Sequence, residues 1–405
     1  TTEIYTLSLH DALPICWLDD PAMRSDLSLC SGTVVRVKLV AAALGTGKKH
    51  LIVEYGHKVG AAGEGYLWPD LTFTSDGESV LVQGRPSSPA SEQPVRYLNR
   101  VDVLVPIQDF EGRLDSFVEA VIGRLASLRV GAAGLDDLWS EIRTERIDPE
   151  LSAWRKLEAV LGHDPGDAPD HIIEELQIAA SEFGSSAVEE VAAESMDNAI
   201  VDIKTLWDES RSNAFELVIP NLDDLKRQIG EIELSLLPWQ RAAHAARMAR
   251  NVWSLEPGPV STSTLADILS ISEELLLNGL EAKGPMHAGF RNGKPNNLSV
   301  FLNKPISVSR RFALLRLIGD HLTAPQGDRL LPAALRSKTQ RQKFQRAFAQ
   351  EFLCPYTDLI DYLDSADPSD EDVEEAARHF DVSPVVVETI LVNKGSRDRT
   401  SLLCA

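Results

Sequence analysis

Between residues 33 and 107, short apolar runs at 34–40, 50–55, 71–74, 80–82 and 101–105 alternate with turn-forming stretches. Their β-branched and aromatic side chains suit a pleated, half-buried surface, so the spacing predicts a small β-rich module. Ser75-Asp76-Gly77-Glu78 predicts a hairpin turn between the third and fourth runs, and the Pro- and Ser-rich stretch 84–94 a loop. From Phe110 the apolar period becomes helical. Phe117, Val121, Ile122 and Leu125 form one stripe, Leu135, Leu138, Trp139 and Ile142 a second, and Leu151, Trp154, Leu157 and Leu161 a third. Ser116 and Asp148-Pro149 suit helix starts. A helix opening at Pro238-Trp239-Gln240 runs through Met248 and Trp253, and Ser263 can cap the next, which carries Leu265, Ile268 and Leu269. The stretch 284–297 predicts a loop and 298–302 a short strand.

The strongest pattern lies at 310–322. Nearly every helical turn there is apolar, as for a helix buried on most sides, interrupted only by Arg316 and Asp320, one turn apart on one face. A second helix, 345–355, answers it, and three short helices follow at 356–363, 370–380 and 384–392.

In these two segments Arg311-Phe312, Leu314, Gly319 and Leu322, then Phe348-Ala349, Leu353 and Pro355, keep the frame of a known pair of motifs. The pair resembles the ImmA/IrrE family of zinc metallopeptidases, whose first helix runs R-R-F-T-L-A-H-E-L-G-H-x-L and whose second ends F-A-A-x-L-L-M-P. In an H-E-x-x-H helix two histidines bind zinc from one face while the glutamate serves as general base. The matching positions here hold Arg316, Leu317 and Asp320, and the third-ligand region holds Gln342, Lys343 and Phe344. A guanidinium cannot ligate a cation, and leucine cannot take a proton. The resemblance therefore implies a peptidase scaffold with no catalytic residues, no metal and no cofactor.

The fold class expected is α+β and predominantly helical. Residues 1–16 look like a translated sequencing adapter, 17–109 form the β-rich module, 110–214 a helical domain, and 215–405 a zincin-like (ImmA/IrrE-like) helical domain with a short strand. Residues 374–387 resemble the helix-turn-helix that follows the peptidase helices in this family. Asp370, Glu371, Asp372, Glu374, Glu375, Asp381 and Glu388 against Arg378 alone speak against DNA reading.

Charge sharpens this picture. A net charge of −21 with 43% hydrophobic residues describes an acidic globular protein, poorly suited to nucleic acid or anionic membrane. Four scattered cysteines without a C-x-x-C suit a reducing cytoplasm. Against that background Lys304, Arg310, Arg311, Arg316, Arg329, Arg336, Lys338, Arg341, Lys343 and Arg346 face only Asp320 and Asp328 between 301 and 350. They predict either neutralisation by the acidic C-terminal segment or a basic groove for an acidic partner surface or nucleic acid.

Two other motifs carry little chemistry. Gly45-Thr46-Gly47-Lys48-Lys49 lacks the first P-loop glycine, where Ala42 stands, and Lys49 replaces the magnesium-binding hydroxyl. His163 and 164–171 gather ligand types, but Asp170 with Glu174 reads more simply as a helix cap.

Within the candidate site Arg316 is expected near the lost zinc, pairing with Asp320 or Glu351, because a buried guanidinium requires compensation. Arg311, Arg316, Asp320 and Glu351 are the expected binding residues. His321 lies about 100° around the helix from Asp320. The function expected is a non-catalytic regulatory or interaction protein, cytoplasmic, with a protein partner possibly encoded nearby. The resemblance implies a setting in mobile-element or toxin–antitoxin control. The alternatives are an active metal-dependent endopeptidase using Asp320, His321 and Glu351, or a DNA-binding regulator.

Overall fold

The computed structural model describes residues 33–39, 51–58, 70–75, 79–87, 96–129, 134–194, 202–233, 236–278, 286–294, 296–334, 337–363, 365 and 368–397. Among them helices predominate, and the strands form two small antiparallel sheets, so the chain is a predominantly helical α+β protein. No helix of the described residues is long and apolar enough to cross a membrane. The chain divides into two compact units after Glu175.

In the first unit, β1 (Thr33–Leu39), β2 (Leu51–Lys58), β3 (Asp70–Ser75), β4 (Ser79–Arg85) and β5 (Val101–Pro106) pair antiparallel in chain order. Phe73 and Val80 face a common core with Phe110, whose ring meets Phe73 edge-on at 5.5 Å. Three helices follow: α1 (Ile107–Ser127), α2 (Leu135–Ile147) and α3 (Pro149–Leu161). Asp148 caps α3 as its sequence suggests, accepting from the N–H groups of Glu150 and Leu151, with Pro149 in the first turn.

Several local expectations need correction. Gly84 is strand, paired with Val101, where a loop was expected. Helix α1 starts directly off β5 at Ile107, so Ser116 is interior and bonds back to the Gly112 carbonyl. Phe117 and Leu151 are exposed; Leu114 and Val118 fill the core in place of Phe117, while Leu157 is buried as its stripe predicts. The Gly45–Lys49 motif and the 76–78 turn lie outside the described residues. The Pro-rich segment after α3 is held by Glu158, which is 1% exposed and accepts from the Gly166 N–H at 2.9 Å and from Arg155 at 2.8 Å.

The division falls within α4 (Asp170–Phe183). Helices α5 (Ser185–Glu194) and α6 (Ile203–Ser212) thus belong with the C-terminal unit. Its sheet runs in the order β6 (Phe215–Val218), β8 (Asn297–Phe301), β7 (His287–Phe290), β9 (Leu330–Ala333). Only β8 stood out in the sequence. The other three are four residues each, and β7 lies in a stretch read as loop. Helix α7 (Leu222–Gly230) follows β6, and α8 (Pro238–Val252), α9 (Thr262–Leu269) and α10 (Glu274–Leu277) precede β7. Ser261, two residues before the expected Ser263, caps α9.

The centre of this unit is the packing of α11 (Ser307–Thr323) and α8 against α12 (Gln340–Leu353). Ala242, Ala245, Ala246 and Ala249 of α8 are all fully buried, and their small side chains line one helical stripe. Phe344, Phe348 and Phe352 stack along α12 at 6.4 and 6.1 Å. A Cβ on Gly319 of α11 would stand 2.8 Å from the Phe348 ring. Gly319→Ala is therefore expected to lose about 1–3 kcal/mol by overpacking, read as a lower urea midpoint. An unchanged midpoint would mean that the two helices can separate freely.

Three helices complete the unit: α13 (Tyr356–Leu363), α14 (Asp370–Phe380) and α15 (Pro384–Lys394). Asp381 ends α14 in the left-handed conformation, φ 50°, and the chain turns at once into α15. Glu371, Glu374 and Glu375 stand exposed on α14.

Candidate functional site

Arginine is poorly suited to a core, yet α11 buries Arg310, Arg311 and Arg316 almost completely. Each survives there by donating to oxygen. Arg310 bonds the carbonyls of Leu275, Leu302 and Lys304. Arg311 reaches the carbonyl of Val260 together with the carbonyl and carboxylate of Asp381, fastening α11 to the end of α14. Burial lowers the Arg311 pKa to about 10.

Arg316 has neither of the carboxylate partners expected for it. Its Nη2 donates to the Ala334 carbonyl at 2.7 Å and to the side-chain oxygens of Gln342 at 2.6 Å and Gln345 at 3.2 Å. The two glutamines are themselves fixed: both Nε2 groups donate to the Pro332 carbonyl, at 3.1 and 3.0 Å, and Gln342 also to Glu190 at 2.8 Å. Burial, with Arg346 adding repulsion, lowers the Arg316 pKa to about 9, so it stays charged at neutral pH. Compensation comes from oriented amide dipoles and from Asp320, Glu194 and Glu190 acting beyond contact distance.

Asp320 instead accepts a two-pronged bond from Arg341, Nε to Oδ1 and Nη2 to Oδ2, both 2.7 Å. The same guanidinium reaches Asp328 at 2.7 Å and the Ser186 hydroxyl at 3.0 Å, while Ser186 donates to Asp328 at 2.6 Å. Burial opposes charge on Arg341, but Asp320, Glu190 and Asp328 outweigh it and hold the pKa above its ordinary value. Glu190 has its pKa raised by burial, against the pull of Arg341, Thr339 and Gln342. Thr339 donates to it at 2.7 Å.

Glu351 lies apart, accepting from Arg247 of α8 at 2.8 Å. His321 faces Arg291, whose Nε donates to its Nδ1 at 3.2 Å. His287, absent from the sequence reading, is buried beside Arg316 and accepts from the Asn303 N–H at 3.1 Å. Its pKa falls to about 3 through burial, then Arg316, Lys304 and Arg310.

The four expected binding residues therefore do not converge. Arg316 and Asp320 share one polar network, Arg311 ties down the C-terminal helices, and Glu351 pairs with α8. Several cations of this region are turned inward. Arg310, Arg311, Arg316 and Arg341 are spent on internal contacts, and Arg346 reaches the carbonyls of Ala334 and Ser337. Arg336 lies outside the described residues.

Zinc does not fit this donor set. Of the three motif positions one carries a cation, Leu317 is apolar and fully buried, and the Asp320 carboxylate is already occupied on both oxygens. Among the described residues no three His, Cys, Asp or Glu side chains are grouped to hold a metal ion.

Sequence reasoning missed Arg341, Gln345, Ser186, Glu190 and Asp328 as site residues. Gln342 and Gln345, polar on the phenylalanine-rich α12, carried a weak signal. Ser186 and Glu190 carried none, because they join the network from about 150 residues upstream in chain position. No protein-family model matches the chain, and no curated protein or solved structure is significantly similar to it.

Proposed function

We propose that this chain is a non-catalytic regulatory or interaction protein on an ImmA/IrrE-type, zincin-like scaffold. Its setting would be mobile-element or toxin–antitoxin control, exercised through a protein partner encoded nearby. One observation carries the reading. At the first ligand position of the resemblance stands a buried guanidinium held by uncharged oxygens, and its neighbours Gln342 and Gln345 are oriented to serve it. Such an arrangement repels a dication and leaves no base for a water molecule.

The endopeptidase alternative needs Asp320, His321 and Glu351 to act together. Asp320 is committed to Arg341, Glu351 to Arg247, and His321 to Arg291. The acidic exposed face of α14 weighs against duplex DNA as the partner.

Metal analysis tests the proposal. The purified chain is expected to carry no stoichiometric zinc and to keep its melting temperature in chelator. Stoichiometric zinc that a chelator removes, and that Asp320→Asn abolishes, would overturn it. A neighbour-encoded protein co-purifying with the tagged chain is the expected sign of the partner.

A further inference from the structure

We propose that Trp207, Arg211 and Arg329 form a binding site for a phosphate group at the surface of the C-terminal unit. Distant parts of the chain supply it. Trp207 and Arg211 lie four residues apart on α6, and so on one face of that helix, while Arg329 immediately precedes β9. The guanidinium carbon of Arg211 stands 5.8 Å from the centre of the Trp207 ring and that of Arg329 stands 5.3 Å from it, both within reach of a cation–π contact. The two cations are therefore no farther apart than those distances added.

The ring is anchored from the core. Phe183, which ends α4, and Phe290, which ends β7, are both buried and pack against it at 4.8 and 5.0 Å. Trp207 is itself only 7% exposed, whereas both arginines are exposed. A ligand meets their guanidiniums from solvent without entering the core.

Hydrogen-bond accounting leaves these donors free. The Arg211 guanidinium makes no hydrogen bond or ion pair with a described residue, and that of Arg329 makes one, from Nη1 to the Glu182 carbonyl at 3.4 Å. Neither has a carboxylate partner among the described residues. Asp208 and Glu182 are exposed nearby in the chain but pair with neither, and Asp328, next to Arg329, is bound to Arg341. The indole N–H of Trp207 likewise has no acceptor among the described residues. Two unpaired arginines on one ring stand out in a chain of net charge −21. Stacking occupies the face of a guanidinium and leaves its N–H edges for oxygen. Like charges so placed repel each other, and a phosphate dianion turns that repulsion into attraction by accepting charge-assisted bonds from both.

Isothermal titration of the full chain at constant ionic strength, with inorganic phosphate in one arm and acetate in the other, tests the site. Saturable phosphate binding to the wild type is expected, weakened about tenfold or more in Arg211→Gln and in Arg329→Gln, both at exposed positions. Arg329→Lys, which keeps the charge without the fork, should fall between. Phosphate is also expected to change the tryptophan emission of the wild type and not that of Trp207→Phe. Absence of saturable phosphate binding, acetate binding of equal strength, or wild-type affinity in the variant carrying both Arg211→Gln and Arg329→Gln would overturn the proposal.

Discussion

Arg341→Ala is expected to lose about 3–5 kcal/mol of stability at neutral pH, the penalty for leaving buried carboxylates unpaired. Arg341 neutralises two such groups at once, Asp320 at 1% and Asp328 at 3% side-chain exposure. It also joins α12 to α11 and, through Ser186, to α5. Urea unfolding at neutral pH measures the loss. Arg341→Lys should fall between, since an ammonium restores the charge without the fork that grips Asp320 on both oxygens. If Arg341→Ala unfolded at the wild-type midpoint, the ion pairs would be ornamental and the polar network would not hold the unit together.

Arg316→Ala is expected to lose about 3 kcal/mol or more, for a different reason. No carboxylate is left behind; instead the buried Gln342 and Gln345 oxygens lose the Arg316 donor, at about 1–3 kcal/mol for each acceptor left unsatisfied, while the Ala334 carbonyl keeps its bond from Arg346. The vacated volume adds a cavity term. A thermal scan of Arg316→Ala beside Arg316→Met separates these contributions, because methionine fills much of the space and restores none of the hydrogen bonds. Full recovery in Arg316→Met would mean that only volume matters, and would remove the main support for reading Arg316 as the purposeful occupant of the site.

The residues that carry the family resemblance are mostly packing residues. Leu314, Gly319, Leu322, Phe348, Ala349 and Leu353 are buried at the α11/α12 crossing, where Gly319 makes room for Phe348. Packing of this kind constrains size and shape but not the chemistry at Arg316, Leu317 and Asp320.

The sequence by itself determined the helical and strand periods, the cap at Asp148 and the buried character of 310–322. Each rests on neighbours within a turn or two, where spacing alone decides which side chains share a face. Only the tertiary structure decided who pairs with whom. It sent Asp320 to Arg341 and Glu351 to Arg247, and left Arg316 to carbonyl and amide oxygens. It also brought α5 to α12 and turned Arg310, Arg311, Arg316 and Arg341 inward. A guanidinium on a long side chain can reach any oxygen within its radius, and which oxygens lie there depends on chain segments folded in from far away.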